Sequence, residues 1–187
     1  MDLLKTKVSN TNITYDGTQL SPHWIYRTFD LLGDSLVSFI GPAHVSIDHM
    51  VDLEDVIKNA PIYSPRMLHF LGEWFMDSLD EAILLQHLLT ATLYGRLWER
   101  EITHLHRRGN DIYYKERKLT VSIATKSLTS CLIHTGINIE THGTPVPTSG
   151  LAEMGIDPIK FGNEILEIFH SDYQGWKRAR AKVIARN

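Results

Sequence analysis

The sequence predicts an α+β fold, with a mixed, mainly antiparallel sheet flanked by helices. Three observations lead there. Short apolar runs with strand-like spacing fall into two separate groups. Between them lies a stretch in which apolar residues recur every three and four positions, as one face of a long helix requires. A second helical stretch closes the chain.

Taken in order, Ser21-Pro22 reads as an N-cap followed by proline at the first helical position. The helix it opens runs to Leu32, with Trp24, Ile25, Thr28, Phe29, Leu31 and Leu32 largely on one side, and Gly33-Asp34 ends it. Leu36 to Ile40 and His44 to Asp48 read as two strands about a Gly41-Pro42 turn. Val51 to Lys58 is a short helix whose charge order, Asp52, Glu54 and Asp55 early and Lys58 late, suits the helix dipole. Pro61 and Pro65 bracket an irregular stretch, and Met67 to Phe75 is read as a buried strand.

The long helix begins near Leu79, capped by Ser78 or Asp80, and carries Ile83, Leu84, His87, Leu88, Ala91, Tyr94, Gly95 and Trp98 at helical spacing. Ile102 to Leu105, Asp111 to Tyr114, Leu119 to Thr125 and Cys131 to Ile139 then read as strands. Polar connections at Arg107-Gly109 and Lys115-Arg117 make neighbours of them in antiparallel hairpins. Pro158 to about Ala185 is the last helical region, with a break expected near Tyr173 to Gly175.

With 187 residues, 43% of them apolar, one core and a single domain over 1–187 are expected. The net charge of −3 offers no basic footprint, so nucleic acid is not an expected partner. The basic run from Lys177 to Lys182 reads as a solvated helix face. One cysteine, Cys131, excludes an intramolecular disulfide and suits a reducing interior. The first residues lack the apolar core of a secretory signal, and no stretch nears ~18 continuous apolar residues. A cytoplasmic protein without a membrane partner is the expectation.

The segment richest in chemistry runs from Asn110-Asp111-Ile112-Tyr113-Tyr114 through Lys118-Leu119 into the strand Thr120 to Ala124, followed by His134-Thr135-Gly136-Ile137-Asn138-Ile139. A hairpin here would put Lys118 where a strand enters the core. A cation there can meet a carbonyl oxygen or phosphate on which charge develops during acyl transfer. Asn110 and Asp111 can fix the loop or orient a polar ligand, and Gly136 allows close approach of a ligand or backbone. Each residue also has an ordinary reading: turn residues, a strand-edge lysine, a bulge glycine.

Together these residues resemble the pattern of biotin protein ligases, Asn-Asp-(Ile/Leu)-Tyr, a polar turn, Arg-Lys-(Leu/Ile) and an apolar strand. His134 to Ile139 is similar to the Gly-Ile-Asn strand of those ligases and to the His-Gly strand of octanoyltransferases. The resemblance implies the fold shared by class II aminoacyl-tRNA synthetases and biotin ligases. It also implies that Lys118 contacts an activated acyl group. The chain further resembles a mostly archaeal group, domain of unknown function 366, on His49-Met50-Val51-Asp52-Leu53-Glu54-Asp55, Met67-Leu68-His69-Phe70 and Gly143 to Leu151.

Two departures matter. Biotin ligases carry a Gly-Arg-Gly-Arg loop, and lipoate ligases an Arg-Arg-X-Gly-Gly-Gly stretch, where this chain has His44 to Asp55. The usual phosphate cradle is missing. Octanoyltransferases use a cysteine in the loop matching Thr144 to Ser149, which has none. Cys131 reads as a buried hydrophobe.

The resulting expectation is an enzyme or former enzyme that binds a small carboxylic acid or its activated ester and transfers the acyl group to an amine. Lys118 would be catalytic, and Asn110, Asp111, His134, Gly136, Asn138, Thr148 and Ser149 would bind substrate. An acyl-adenylate, or ATP with magnesium, is the implied cofactor. An acceptor protein and a second copy in a homodimer are the implied partners. The competing readings are a non-catalytic binding module and a metal-assisted enzyme built on His49, Asp52, Glu54 and Asp55. For that segment the ordinary reading is acids at a helix start. A synthetase paralogue is a further alternative, which the charge balance opposes. His69 and Glu73 share a strand face, with His69 read as a satisfied core residue.

Overall fold

A computed structural model describes residues 3–184 and Arg186. Its main sheet has five strands in the order β1-β2-β3-β8-β7. These are β1 (Lys5–Asn12), β2 (Ser35–Val45), β3 (Ile62–Trp74), β7 (Thr120–Lys126) and β8 (Cys131–Glu140). Strand β1 runs parallel to β2, and every other neighbouring pair is antiparallel. A small sheet holds β4 (Leu105–Arg108), β5 (Asp111–Tyr114) and β6 (Arg117–Lys118). The helices are α1 (Trp24–Phe29), α2 (Leu53–Ile57), α3 (Leu79–Glu99) and α4 (Pro158–Lys182), with short 3-10 turns at Ile47–His49 and Leu151–Met154.

Strands β3 and β8 are buried along most of their length because both faces of the sheet are covered. Leu36, Leu68 and Phe70 join Leu89, Leu93, Ile165 and Phe169 in the core beneath α3 and α4. Val37, Phe39 and Leu71, one step along the pleat, form a second cluster with Tyr15 and Ile25 on the opposite face. Such strands show no polar/apolar alternation.

Several elements differ from the sequence expectation. The strand β1 was not foreseen; its burial pattern is mixed and it lies at the sheet edge. Helix α1 starts at Trp24 rather than at Pro22, because the buried Glu73 carboxylate reaches over to accept the His23 N–H at 2.9 and 3.0 Å. It stops at Phe29, where Asp30 turns left-handed (φ 57°).

Gly41-Pro42 is not a turn. Strand β2 runs through it, and both Pro42 and Pro65 fall in the unpaired interval between the pairs Gly41–Met67 and Ala43–Ser64. A local irregularity lets two prolines sit inside neighbouring strands without breaking a ladder bond. The amino-terminal chain crosses here: Ile13 N–H donates to Ile40 O, Tyr15 N–H to Pro42 O, and His44 N–H to Tyr15 O.

Ile102 is not in a strand; Glu101 and His104 turn left-handed, and β4 begins only at Leu105. Helix α4 runs without a break through Tyr173 to Gly175 and ends at Lys182. The expected end, Ala185, lies outside the described residues, as do Met1 and Asp2 of the segment searched for a secretory signal. Ser78 caps α3 as expected, accepting from Glu81 N–H at 3.1 Å. Among the described residues, no helix is long and apolar enough to cross a membrane.

Candidate functional site

A cleft of about 720 Å³ opens on the sheet face opposite α3 and α4. Strands β3, β7 and β8 form its floor with Met67, Val121, Ile123, His134 and Asn138, and Tyr15 lies on that floor. The segment from His49 to Tyr63 forms one wall; Asn110, Asp111, Lys118 and the loop from Thr144 to Thr148 form the other.

Lys118 ends β6 and its Nζ stands 3.1 Å from Asp111 Oδ2 at the head of β5. Its main chain is bonded on both sides to one loop, with Lys118 N–H donating to Pro147 O (3.1 Å) and Ser149 N–H donating to Lys118 O (3.0 Å). Asn138 accepts from Ser64 Oγ at 2.9 Å through its Oδ1, and its Nδ2 lies 3.5 Å from Lys118 O. Asn110 donates to Ser122 O at 3.3 Å. Thr148 faces the cleft with its hydroxyl 2.8 Å from that of Thr144.

Of the eight residues singled out from sequence, six line the cleft: Asn110, Asp111, Lys118, His134, Asn138 and Thr148. Gly136 and Ser149 do not. A Cβ at Gly136 would come 2.7 Å from Met67 Cε, so the glycine lets the Met67 side chain lie flat on the floor. Ser149 is fully buried and donates from Oγ to Tyr114 O at 3.0 Å, anchoring the loop.

Sequence reasoning missed Tyr15 altogether, and nothing in Thr14-Tyr15-Asp16-Gly17 marks it except a turn. Its ring stacks on His134, with centroids 3.7 Å apart and planes 9° from parallel. Beneath, His134 Nε2 lies 3.0 Å from His69 Nδ1, and His69 Nε2 lies 3.1 Å from Gly41 O. Burial pushes the His69 imidazole down to about 4. Burial, and next the neighbouring His69, hold His134 well below the usual histidine value. Burial and then Asp16 raise the Tyr15 phenol, which stays protonated. The floor is polar but uncharged.

The segment from His49 to Asp55 has a different role from a metal cluster. Asp52 is the N-cap of α2 and accepts from Glu54 N–H (2.9 Å) and Asp55 N–H (3.4 Å). His49 Nδ1 lies 3.1 Å from Asp16 O. Among the described residues, no three His, Cys, Asp or Glu side chains gather as metal ligands would. Burial, then Asp52, raise the Asp55 carboxyl, with Lys118 opposing them from across the cleft.

The sequence profile of the family described as Domain of unknown function (DUF366) matches residues 4–184. The chain belongs to that family. An uncharacterised protein of Methanocaldococcus jannaschii is 35% identical over 153 residues, 79% of this chain and 69% of that one. A solved protein of unknown function from Pyrococcus horikoshi superimposes with a TM-score of 0.94 at 38% identity, covering 98% of this chain and all of that one (100%).

Biotin protein ligase from Aquifex aeolicus, in complex with biotin and ATP, matches with a TM-score of 0.56 at 15% identity, over 94% of this chain and 71% of the ligase. Protein Ta0514 of T. acidophilum with bound lipoic acid gives 0.56 at 12%, over 91% and 86%. At such identities the likeness is one of fold. The family member described here has the mixed α+β fold of biotin and lipoate ligase catalytic domains.

Proposed function

We propose that the cleft binds a small carboxylic acid or its activated ester, and that its chemistry is acyl transfer to an amine. The observation that carries this reading is the cation Lys118, held by its backbone and by Asp111 in the wall of a cleft with an uncharged floor, in a ligase-like fold. In the proposed step an acceptor amine attacks the acyl carbon and the bond to the leaving group breaks. The leaving oxygen keeps the electron pair, and the amine gives up its proton to solvent. Lys118 acts where negative charge grows, on the carbonyl oxygen or the leaving phosphate.

The cleft does not fit an ATP triphosphate well. Four carboxylates, Asp52, Glu54, Asp55 and Asp111, line it against two lysines, Lys58 and Lys118, and Lys58 is paired with Glu54 at 3.1 Å. Lys118 is likewise shared with Asp111 at 3.1 Å, so an acid that arrives already activated, with one phosphate or none, suits this charge balance better. The reading extends to a protein acceptor, a homodimer through an outer strand, β1 or β7, and a cytoplasmic location. A second reading, a binding module without turnover, is favoured by the absent glycine- and arginine-rich loop at His44 to Asp55.

The test is a thermal-shift panel on the wild type and Lys118→Ala with biotin, lipoate, octanoate, their acyl-adenylates, and ATP with magnesium. Ligand at 100 times its Kd adds about 2.7 kcal/mol of stability. The reading expects stabilisation by an acid or acyl-adenylate that is lost in Lys118→Ala. Stabilisation by none of them would sink it, and binding without release of product on adding an amine would select the second reading.

A further inference from the structure

The tautomers of the two floor histidines follow from their partners. A carbonyl can only accept, so His69 Nε2 must donate to Gly41 O, and its Nδ1 is then a bare lone pair. That lone pair accepts from His134 Nε2–H at 3.0 Å. The proton of the neutral His134 ring is thereby placed on Nε2, and Nδ1 is left as an acceptor.

Among the described residues, neither His134 Nδ1 nor the Tyr15 hydroxyl has a hydrogen-bond partner. Neither belongs to the unpaired side-chain atoms sealed from solvent, which are on Ser35, Ser38, Trp74, Arg100 and His106. Both residues line the cleft while being 96% buried, each with 4% of its surface exposed, so what remains accessible faces the ligand space. A purely aliphatic ligand would cover two polar atoms and satisfy neither, a cost that unpaired buried groups impose in full.

We infer that the cleft reads a hydrogen-bond donor on the body of its acid, a hydroxyl or N–H received by His134 Nδ1 beside the Tyr15 hydroxyl. This rests on the proposed acyl site and narrows its substrate class from carboxylic acids in general to acids with a polar donor on an apolar body. The donor sits away from the carboxyl end. Asn138, beside Lys118, and His134 are four residues apart on β8, roughly 13 Å along the strand. Tyr15 acts as donor or acceptor to the same group, and its stacking on His134 fixes the imidazole plane.

The probes are octanoate and its hydroxylated forms at the last three carbons, each as free acid and as the non-hydrolysable adenosine sulfamate, measured by calorimetry. The wild type is expected to bind the best hydroxylated probe about tenfold more tightly than the octanoyl one. His134→Phe keeps a ring against Tyr15 and is expected to erase the preference. Tyr15→Phe, a milder change, is expected to reduce it. Nitrogen-15 NMR, which needs no variant, is expected to find His134 protonated at Nε2 only, with the Nδ1 signal moving when the hydroxylated probe binds.

Octanoyl binding equal to that of every hydroxylated probe would overturn the inference and leave the acyl site standing. A preference unchanged in both variants, or a proton found on Nδ1, would do the same. Binding of no acid and no sulfamate would remove both.

Discussion

Lys118 Nζ stands 3.1 Å from Asp111 Oδ2, and the two side chains are 33% and 24% exposed where they meet at the cleft wall. An anion entering the cleft therefore meets an ammonium already shared with a carboxylate. For a pair this exposed the mutual attraction is worth about 1 kcal/mol at most. Asp111→Asn keeps the size and removes the competitor. It is expected to tighten binding of a carboxylate or acyl-phosphate probe by about fivefold, whereas Lys118→Ala abolishes it. Titration calorimetry on both variants decides; weaker binding in Asp111→Asn would mean that the carboxylate itself touches the ligand.

Acid should weaken the fold through its floor. The His69 value falls from 6.5 to about 4 on folding because the ring is buried. Between those values the unfolded chain holds a proton that the folded chain refuses, so stability is complete above 6.5 and is lost as pH falls toward 4. The shift corresponds to about 3 kcal/mol, and His134 is displaced in the same direction. Urea midpoints at pH 7.5 and 4.5 measure it. Equal midpoints would mean that the imidazoles take up protons in place.

Alanine at two glycines should have contrasting effects. A Cβ at Gly41 would lie 1.9 Å from Ile13 O, which is backbone and cannot swing aside. Gly41→Ala is expected to cost about 3 kcal/mol or more. At Gly136 the obstacle is the end of the Met67 side chain, which can turn into the cleft. Gly136→Ala is expected to cost under about 1.5 kcal/mol of stability while reducing the affinity of any ligand on that floor. Denaturation and binding measured side by side on the two variants test the contrast.

The turn between β5 and β6 has both central residues left-handed, Lys115 at φ 49° and Glu116 at φ 60°. Asn-Gly adopts this two-residue form with less strain. Replacing Lys115-Glu116 by Asn-Gly is expected to stabilise the protein by about 1 kcal/mol, although the exposed pair of Glu116 with Arg108 is lost. An unchanged or lower melting temperature would show that Glu116 contributes more than exposed ion pairs do.

What the sequence made legible followed local chemistry. The Ser78 start of α3, strand β5, and the cluster of Asn110, Asp111 and Lys118 all stand in short contiguous segments. The apolar stripe expected on α3 is not the buried one: Ile83, Leu84 and Trp98 are exposed, and Ala82, Leu85, Leu89, Leu93 and Leu97 face the core. Apolar residues lie on several sides of this helix, so spacing alone does not select the core face. What stayed hidden depends on distant chain. The late start of α1 is set by Glu73, fifty residues away. Tyr15 becomes part of the floor only because the amino-terminal chain crosses the β2 irregularity at Gly41 to Ala43. Gly41-Pro42 has the composition of a turn, and only the paired irregularity at Pro65 shows why the strand continues. Gly136 attracted attention for closeness to a ligand, but the close neighbour is Met67.

The double backbone tie of Lys118 to the loop at Pro147 and Ser149 gives the cleft a built-in clock. The lysine's height in the cleft is inherited from a segment thirty residues further along the chain. The loop cannot lift without breaking the bonds donated by the Lys118 and Ser149 amides together. Those two amides should exchange with deuterium at one common rate, distinct from their neighbours in β7 and β8. That shared rate would time the opening of the cleft in the free protein, before any ligand is known.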